Sequence, residues 1–170
     1  MFMGAFKAEK AYKWLEAAKF HEQALKNETN KDVAAESLKK IEFCYSLVSR
    51  QAHSPEDFKK LRQLSVEAYE MAAKLFCEST AMEKEGRSSE CLSLAHYTRS
   101  WLASNSVQKC EILSKCFSNG LNALEAFKKS ADNLNSAKTC TLLAQCMFDL
   151  VSITSQTEEK LEVAKKNYLS

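Results

Sequence analysis

Turn-forming residues punctuate this chain at even intervals. Polar stretches fall near residues 29, 80 and 131, and again near 54, 105 and 155, so each series steps by about 51 residues. Two segments also echo each other. Leu75-Phe76-Cys77-Glu78-Ser79 followed by Cys91-Leu92-Ser93-Leu94-Ala95 returns loosely as Ala126-Phe127-Lys128-Lys129-Ser130 followed by Cys140-Thr141-Leu142-Leu143-Ala144. A fixed period in helical sequence narrows the fold sharply, because a unit unable to bury its apolar face alone must stack on the next.

That the sequence is helical follows from what it lacks. Its 170 residues include one proline, Pro55, and three glycines, Gly4, Gly86 and Gly120. A sheet protein of this size needs many more turn residues. The segments between turns are rich in Ala, Leu, Lys and Glu, whose side chains lose little freedom in a helix. A single domain of this length buries roughly two thirds of its unfolded surface, enough to fold without a metal or disulfide.

The spacing predicts a first helix over about 5–26, with a stripe through Ala11, Trp14, Leu15, Ala18 and Leu25. Thr29 with Asp32 reads as a capping box for a second helix bearing Val33, Leu38, Ile41, Cys44 and Tyr45. Ser54, Pro55 and Asp57 give the clearest start, of a third helix with Phe58, Leu61, Leu64, Ala68, Ala72 and Phe76 inward. Thr80 with Glu83 caps a fourth, and Ser104-Asn105-Ser106 precedes a fifth with Leu113, Cys116, Phe117, Gly120, Leu124 and Phe127. Gly86 allows a break or late start in the fourth. Gly120, lying on a stripe, marks a close helix crossing. Asp132-Asn133 opens a sixth helix with Ala137, Thr141, Ala144, Met147, Phe148 and Val151 inward, and Ser155 with Glu158 caps a short last one. The expected architecture is all-α: a right-handed superhelical stack of three antiparallel hairpins (about 5–53, 55–104 and 106–154) plus a capping helix at about 156–169, forming one domain.

Little chemistry is visible. Seven cysteines (Cys44, Cys77, Cys91, Cys110, Cys116, Cys140, Cys146) form no CxxC pair, and most fall at apolar positions, as reduced core residues of a cytoplasmic protein do. No stretch has the length of a membrane span, and the start lacks a signal-peptide layout. His21-Glu22-Gln23-Ala24-Leu25 misses the zinc-protease pattern, since Leu25 stands where the second histidine must be. So few glycines leave no phosphate loop. Asp149, alone in an apolar run, reads as an exposed wedge or as a partner of Arg99. A net charge of +2 in scattered lysine groups argues against nucleic acid, and Trp14 and Trp101 sit on core stripes. No catalytic residue, metal site or cofactor is expected.

The pattern of Ala17-Ala18 with His21, and of Tyr69, Ala72-Ala73 and Phe76, resembles tetratricopeptide repeats. The longer period here, against about 34 residues in that family, is similar to the helical-hairpin solenoids of SNAP-like membrane-fusion adaptors. The resemblance implies a curved stack whose concave face, lined by the first helix of each pair, binds a protein, a peptide or a partner helix. On that register Lys74 and Glu78 enter the groove, with Glu125 and Lys128 in the third unit and Lys19 and Glu22 in the first. The expected function is a non-enzymatic interaction module. The alternatives are a structural unit that self-associates through an exposed apolar end helix, and an enzyme with a site between hairpins.

Overall fold

The computed structural model describes residues 2–80 and 83–168, with side chains over 3–80 and 83–156. Among them all regular structure is α-helical, without a strand. In chain order the helices are α1 (Phe2–Lys10), α2 (Trp14–Leu25), α3 (Lys31–Ser49), α4 (Pro55–Cys77), α5 (Lys84–Ser100), α6 (Ser106–Lys129) and α7 (Asn133–Tyr168).

Side-chain caps set most of the starts. The Asp57 N–H donates to Ser54 Oγ at 3.0 Å, and Pro55 takes the first position of α4, where a missing donor costs nothing. The Gln108 N–H donates to Asn105 Oδ1 at 2.9 Å and starts α6, and the Asn135 N–H donates to Asp132 Oδ1 at 3.0 Å in α7. Two expected caps are corrected. Asn30, not Thr29, caps α3 by accepting from the N–H groups of Asp32 and Val33. α5 begins after Glu83 with no side-chain cap, so Thr80 and Glu83 form no capping box.

Two larger corrections concern the ends of the chain. The expected first helix is broken into α1 and α2 at Tyr12, whose φ is 57°. The Tyr12 N–H donates to the Glu9 carbonyl and the Lys13 N–H to the Ala8 carbonyl, at 3.0 and 2.9 Å. This is the Schellman termination, which satisfies the last carbonyls of a helix by a left-handed residue. Ala131, φ 57°, ends α6 in the same way through the Lys128 and Phe127 carbonyls. At the other end no turn occurs at Ser155. α7 runs unbroken to Tyr168, so the separate capping helix is absent; the side chains of Leu161, Val163, Ala164 and Tyr168 lie outside the described residues.

Each helix packs against its neighbours in sequence, and α5 also touches α7. α2, α4 and α6 approach one another only through α3 and α5. α3, α5 and α7 are instead joined by polar rungs between residues 51 or 52 positions apart. Lys39 Nζ meets Glu90 at 3.0 Å, Arg87 meets Glu36 at 3.1 Å, and the Tyr97 hydroxyl donates to Asp149 at 3.0 Å. The main core fills the space among α2, α3, α4 and α5 around Leu38, Ile41, Val66, Tyr69 and Phe76. A smaller one lies between α6 and α7 around Leu113, Cys116 and Cys146. Both internal glycines lie at close approaches. A Cβ on Gly120 would stand 2.8 Å from Leu143 Cδ2, and one on Gly86 would stand 2.9 Å from the Phe127 ring.

Candidate functional site

The six charged residues assigned to a groove are spread over three helices. Lys19 is exposed on α2, and its neighbour Glu22 accepts a 2.5 Å hydrogen bond from the Tyr45 hydroxyl of α3. Lys74 is exposed beside a groove of about 390 Å³ between α4 and α5, where Glu70, Cys77 and Leu92 also lie. Glu78 pairs with Lys31 at 2.8 Å, and the hydrogen bond and charge of that lysine hold its carboxyl below the usual range. Glu125 pairs with Lys129 one turn on, at 2.7 Å, rather than with Lys128, which is exposed. Pairs thus form within or between adjacent elements, and α2, α4 and α6 bring no two of their assigned residues together across the hairpins.

Several titratable groups between α3, α4 and α5 engage one another. Glu42, buried, accepts from Ser65 Oγ at 2.9 Å and from Tyr69. Burial pushes its carboxyl up, against the hydrogen bonds from Tyr69 and Ser65 and the charges of Arg62 and Lys39. Burial is the largest influence on the Lys39 ammonium and works to lower it, but the charges of Glu90, Cys91 and Glu36 with the Glu90 hydrogen bond together turn the net shift upward. The Arg62 guanidinium stacks near Phe58 and Trp101, 5.3 and 5.5 Å from their ring centres. Trp101 is therefore not a core residue as its stripe suggested: half of it is exposed, with Lys109 on it as well. Such a network joins α3, α4 and α5, and its members spend their hydrogen bonds on holding helices together. No three His, Cys, Asp or Glu side chains among the described residues are placed to hold a metal ion.

Asp149 resolves differently from either expectation. It takes the Tyr97 hydroxyl at 3.0 Å and the Gln145 amide at 3.2 Å, while Arg99 pairs with Glu70 at 2.6 Å. Its run is apolar on both sides for a reason that the rest of α7 makes plain.

The inward stripe of α7 is not the one its sequence suggested. Thr139, Leu143 and Cys146 are buried, with Leu142, Leu150 and Ile153 half-buried beside them. Ala137, Thr141, Ala144, Met147, Phe148 and Val151 face outward. Four of the outward side chains are large: Leu134 is 67% exposed, Phe148 68%, Val151 57% and Met147 46%. The helix is apolar on two opposite faces, and periodicity alone does not choose between them. The sequence echo points to the wrong face. It aligns Cys91 with Cys140, 49 residues on, whereas the buried Phe76 and Phe127 are 51 apart. An offset of two residues turns a helix by roughly 200°, to its far side. The signal that does find the outward face is its spacing of alternating three and four residues from Leu134 to Val151.

A second apolar surface adjoins this helix. Val107, Cys110, Glu111 and Ile153 line an open groove of about 510 Å³ between the start of α6 and α7. No helix among the described residues is long and apolar enough to cross a membrane. Comparison of the sequence with protein-family models and with curated proteins finds no match.

Proposed function

We propose that this chain is a non-catalytic protein–protein interaction module, a tetratricopeptide-like stack of helical hairpins that docks a partner helix or peptide on its own helical surface. The observation that carries this reading is the outward face of α7. Large apolar side chains stand in line there, uncovered, while the buried charged groups pair with one another. Surfaces of that kind mark interaction sites on proteins that otherwise stay soluble. The reading places the protein in the cytoplasm, where its seven cysteines, all free, stay reduced.

A second surface has an observation of its own. Lys74 borders the groove between α4 and α5, where apolar and charged walls combine. A rim charge such as Lys74 would orient a partner there while the walls supply affinity, and Lys128 stands exposed on α6 as a second such charge.

Affinity capture with matched baits tests the module. Wild type, Phe148→Glu, and a Lys74→Glu/Lys128→Glu double variant are immobilised, and bound proteins are compared by mass spectrometry. Partners held by wild type and lost on one of the two variants, with circular dichroism unchanged, support the reading and say which surface works. Identical captures on all three baits would refute both surfaces.

A further inference from the structure

The outward residues of α7 follow a heptad. Leu134, Ala137, Thr141, Ala144, Phe148 and Val151 are spaced three, four, three, four and three apart. That is the a/d pattern by which one helix supercoils with another. Folding does not use it, because the opposite face already packs on α6 through Leu143 and Cys146.

We propose that this face is a dimerisation seam: the α7 helices of two copies of this chain pair antiparallel, about a two-fold axis between Thr141 and Ala144. The proposal rests on the reading of α7 as a docking helix, and the order of side-chain sizes along the seam identifies the second helix. Antiparallel pairing brings a positions of one helix against d positions of the other. With the axis between Thr141 and Ala144, Leu134 meets the partner's Val151, Ala137 meets the partner's Phe148, and Thr141 meets the partner's Ala144. Every seam residue finds its mate on the same seam, as a self-complementary two-fold interface requires. Volumes even out along it. A large ring sits over a methyl, and the smallest pair lies at the axis where the backbones come closest. Parallel pairing would set Phe148 on its own copy and leave Ala137 and Ala144 facing Ala, a clash beside two voids.

Charge agrees. The flanking positions are Asn133, Cys140, Met147 and Thr154 on one side and Lys138, Gln145 and Ser152 on the other. Lys138 is the one ionised group among them. In the antiparallel register it faces the partner's Gln145, so no like charges meet. An uncharged strip offers nothing to orient a charged peptide, and a second copy of itself loses nothing by covering it. Seventeen residues of rise give a seam about 26 Å long. One helix pair of that length is a short contact, whereas stable interfaces start at roughly 1,200 Å² of total buried surface. A weak, concentration-dependent dimer is expected, with a dissociation constant on the order of 10 μM.

Sedimentation equilibrium of the full chain, from about 1 to 300 μM, tests the proposal, with the range set around the expected constant. The weight-average mass should climb from 19.2 kDa toward twice that value. Phe148→Glu, which would bury a carboxylate against Ala137, should weaken association at least tenfold with an unchanged melting temperature in dilute solution. A geometric check uses a native thiol. Met147→Cys puts a second thiol on the same flank as Cys140 of the partner, so mild oxidation should give a covalent dimer that disappears when Cys140→Ser is added. A monomer throughout the range, or a dimer that survives Phe148→Glu, or no cross-link through Cys140, overturns the seam. If the chain stays monomeric while its captured partners are lost on Phe148→Glu, the docking helix stands and its occupant is another protein.

Discussion

α5 and α7 both pack on α6, yet they meet their surroundings differently. Gly86 of α5 lies under the Phe127 ring, Ser93 donates to the Cys116 carbonyl at 2.7 Å, and Tyr97 packs against the Leu113 cluster. All three contacts reach α6. The residues 51 further on are Ala137, Ala144 and Phe148. They point the same way from α7, and nothing among the described residues covers them. The covered face is small and polar, made for close approach and a specific hydrogen bond. The bare one carries an apolar seam. α5 gives this face to α6, whereas the matching face of α7 is left open among the described residues.

The comparison breaks most easily at two phenylalanines. Phe127 is fully buried between α5 and α6, and Phe127→Ala should cost about 3–5 kcal/mol in urea unfolding. Phe148→Ala, measured in dilute solution, should change stability by less than about 0.5 kcal/mol. Similar losses at both positions would mean that α7 is covered after all. Next in size is the crossing itself. Gly120→Ala pushes a methyl to within 2.8 Å of Leu143 Cδ2 and 3.1 Å of Ser93 Oγ, and should cost about 1–3 kcal/mol by chemical denaturation. No loss would show that α6 stands further from α5 and α7 than described.

How much of this could be read in the sequence depends on how each residue announces itself. Ser54-Pro55 and Asn105 signal their helix starts by side-chain chemistry, and Gly120 signals a crossing by having no side chain. Left-handed helix ends usually announce themselves with glycine, but Tyr12 and Ala131 take that conformation without it. The break between α1 and α2 was hidden for that reason. Ser155 and Glu158 have the spacing of a cap and lie inside a continuous helix, because such a pair is equally at home in an uninterrupted one. The register of α7 was obscured by its second apolar face. The six groove charges were chosen by family resemblance, whereas the outward seam needed the buried stripe to be known first.

The smallest effect sharpens the account of the helix ends. Ala131 holds φ at 57°, a conformation in which its Cβ is crowded. Ala131→Gly should relieve that crowding, stabilise the protein by about 0.5 kcal/mol after the added freedom of the unfolded chain is set against it, and raise the melting temperature by about 1–2 °C. A loss of stability there would argue against the left-handed turn before α7.

α7 shows one apolar face to α6 and the opposite one to solvent, and two of its own cysteines report on this arrangement. Cys140 is exposed on the outward side, whereas Cys146 is buried against the Leu113 carbonyl at 3.2 Å. Burial also pushes the thiols of Cys44 and Cys91 up, to about 11 and about 12, and the hydrogen bond with Cys116 raises that of Cys146, which leaves little reactive thiolate on any of them. A brief pulse of a thiol-alkylating reagent on the native protein, diluted to about 1 μM, below the dimer constant expected from the seam, followed by peptide mass mapping, reads the register directly. Cys140 and the exposed Cys77 should be modified first, and Cys146, Cys116, Cys91 and Cys44 only after unfolding. Modification of Cys146 as fast as Cys140 would turn α7 around and contradict the seam together with the core behind it.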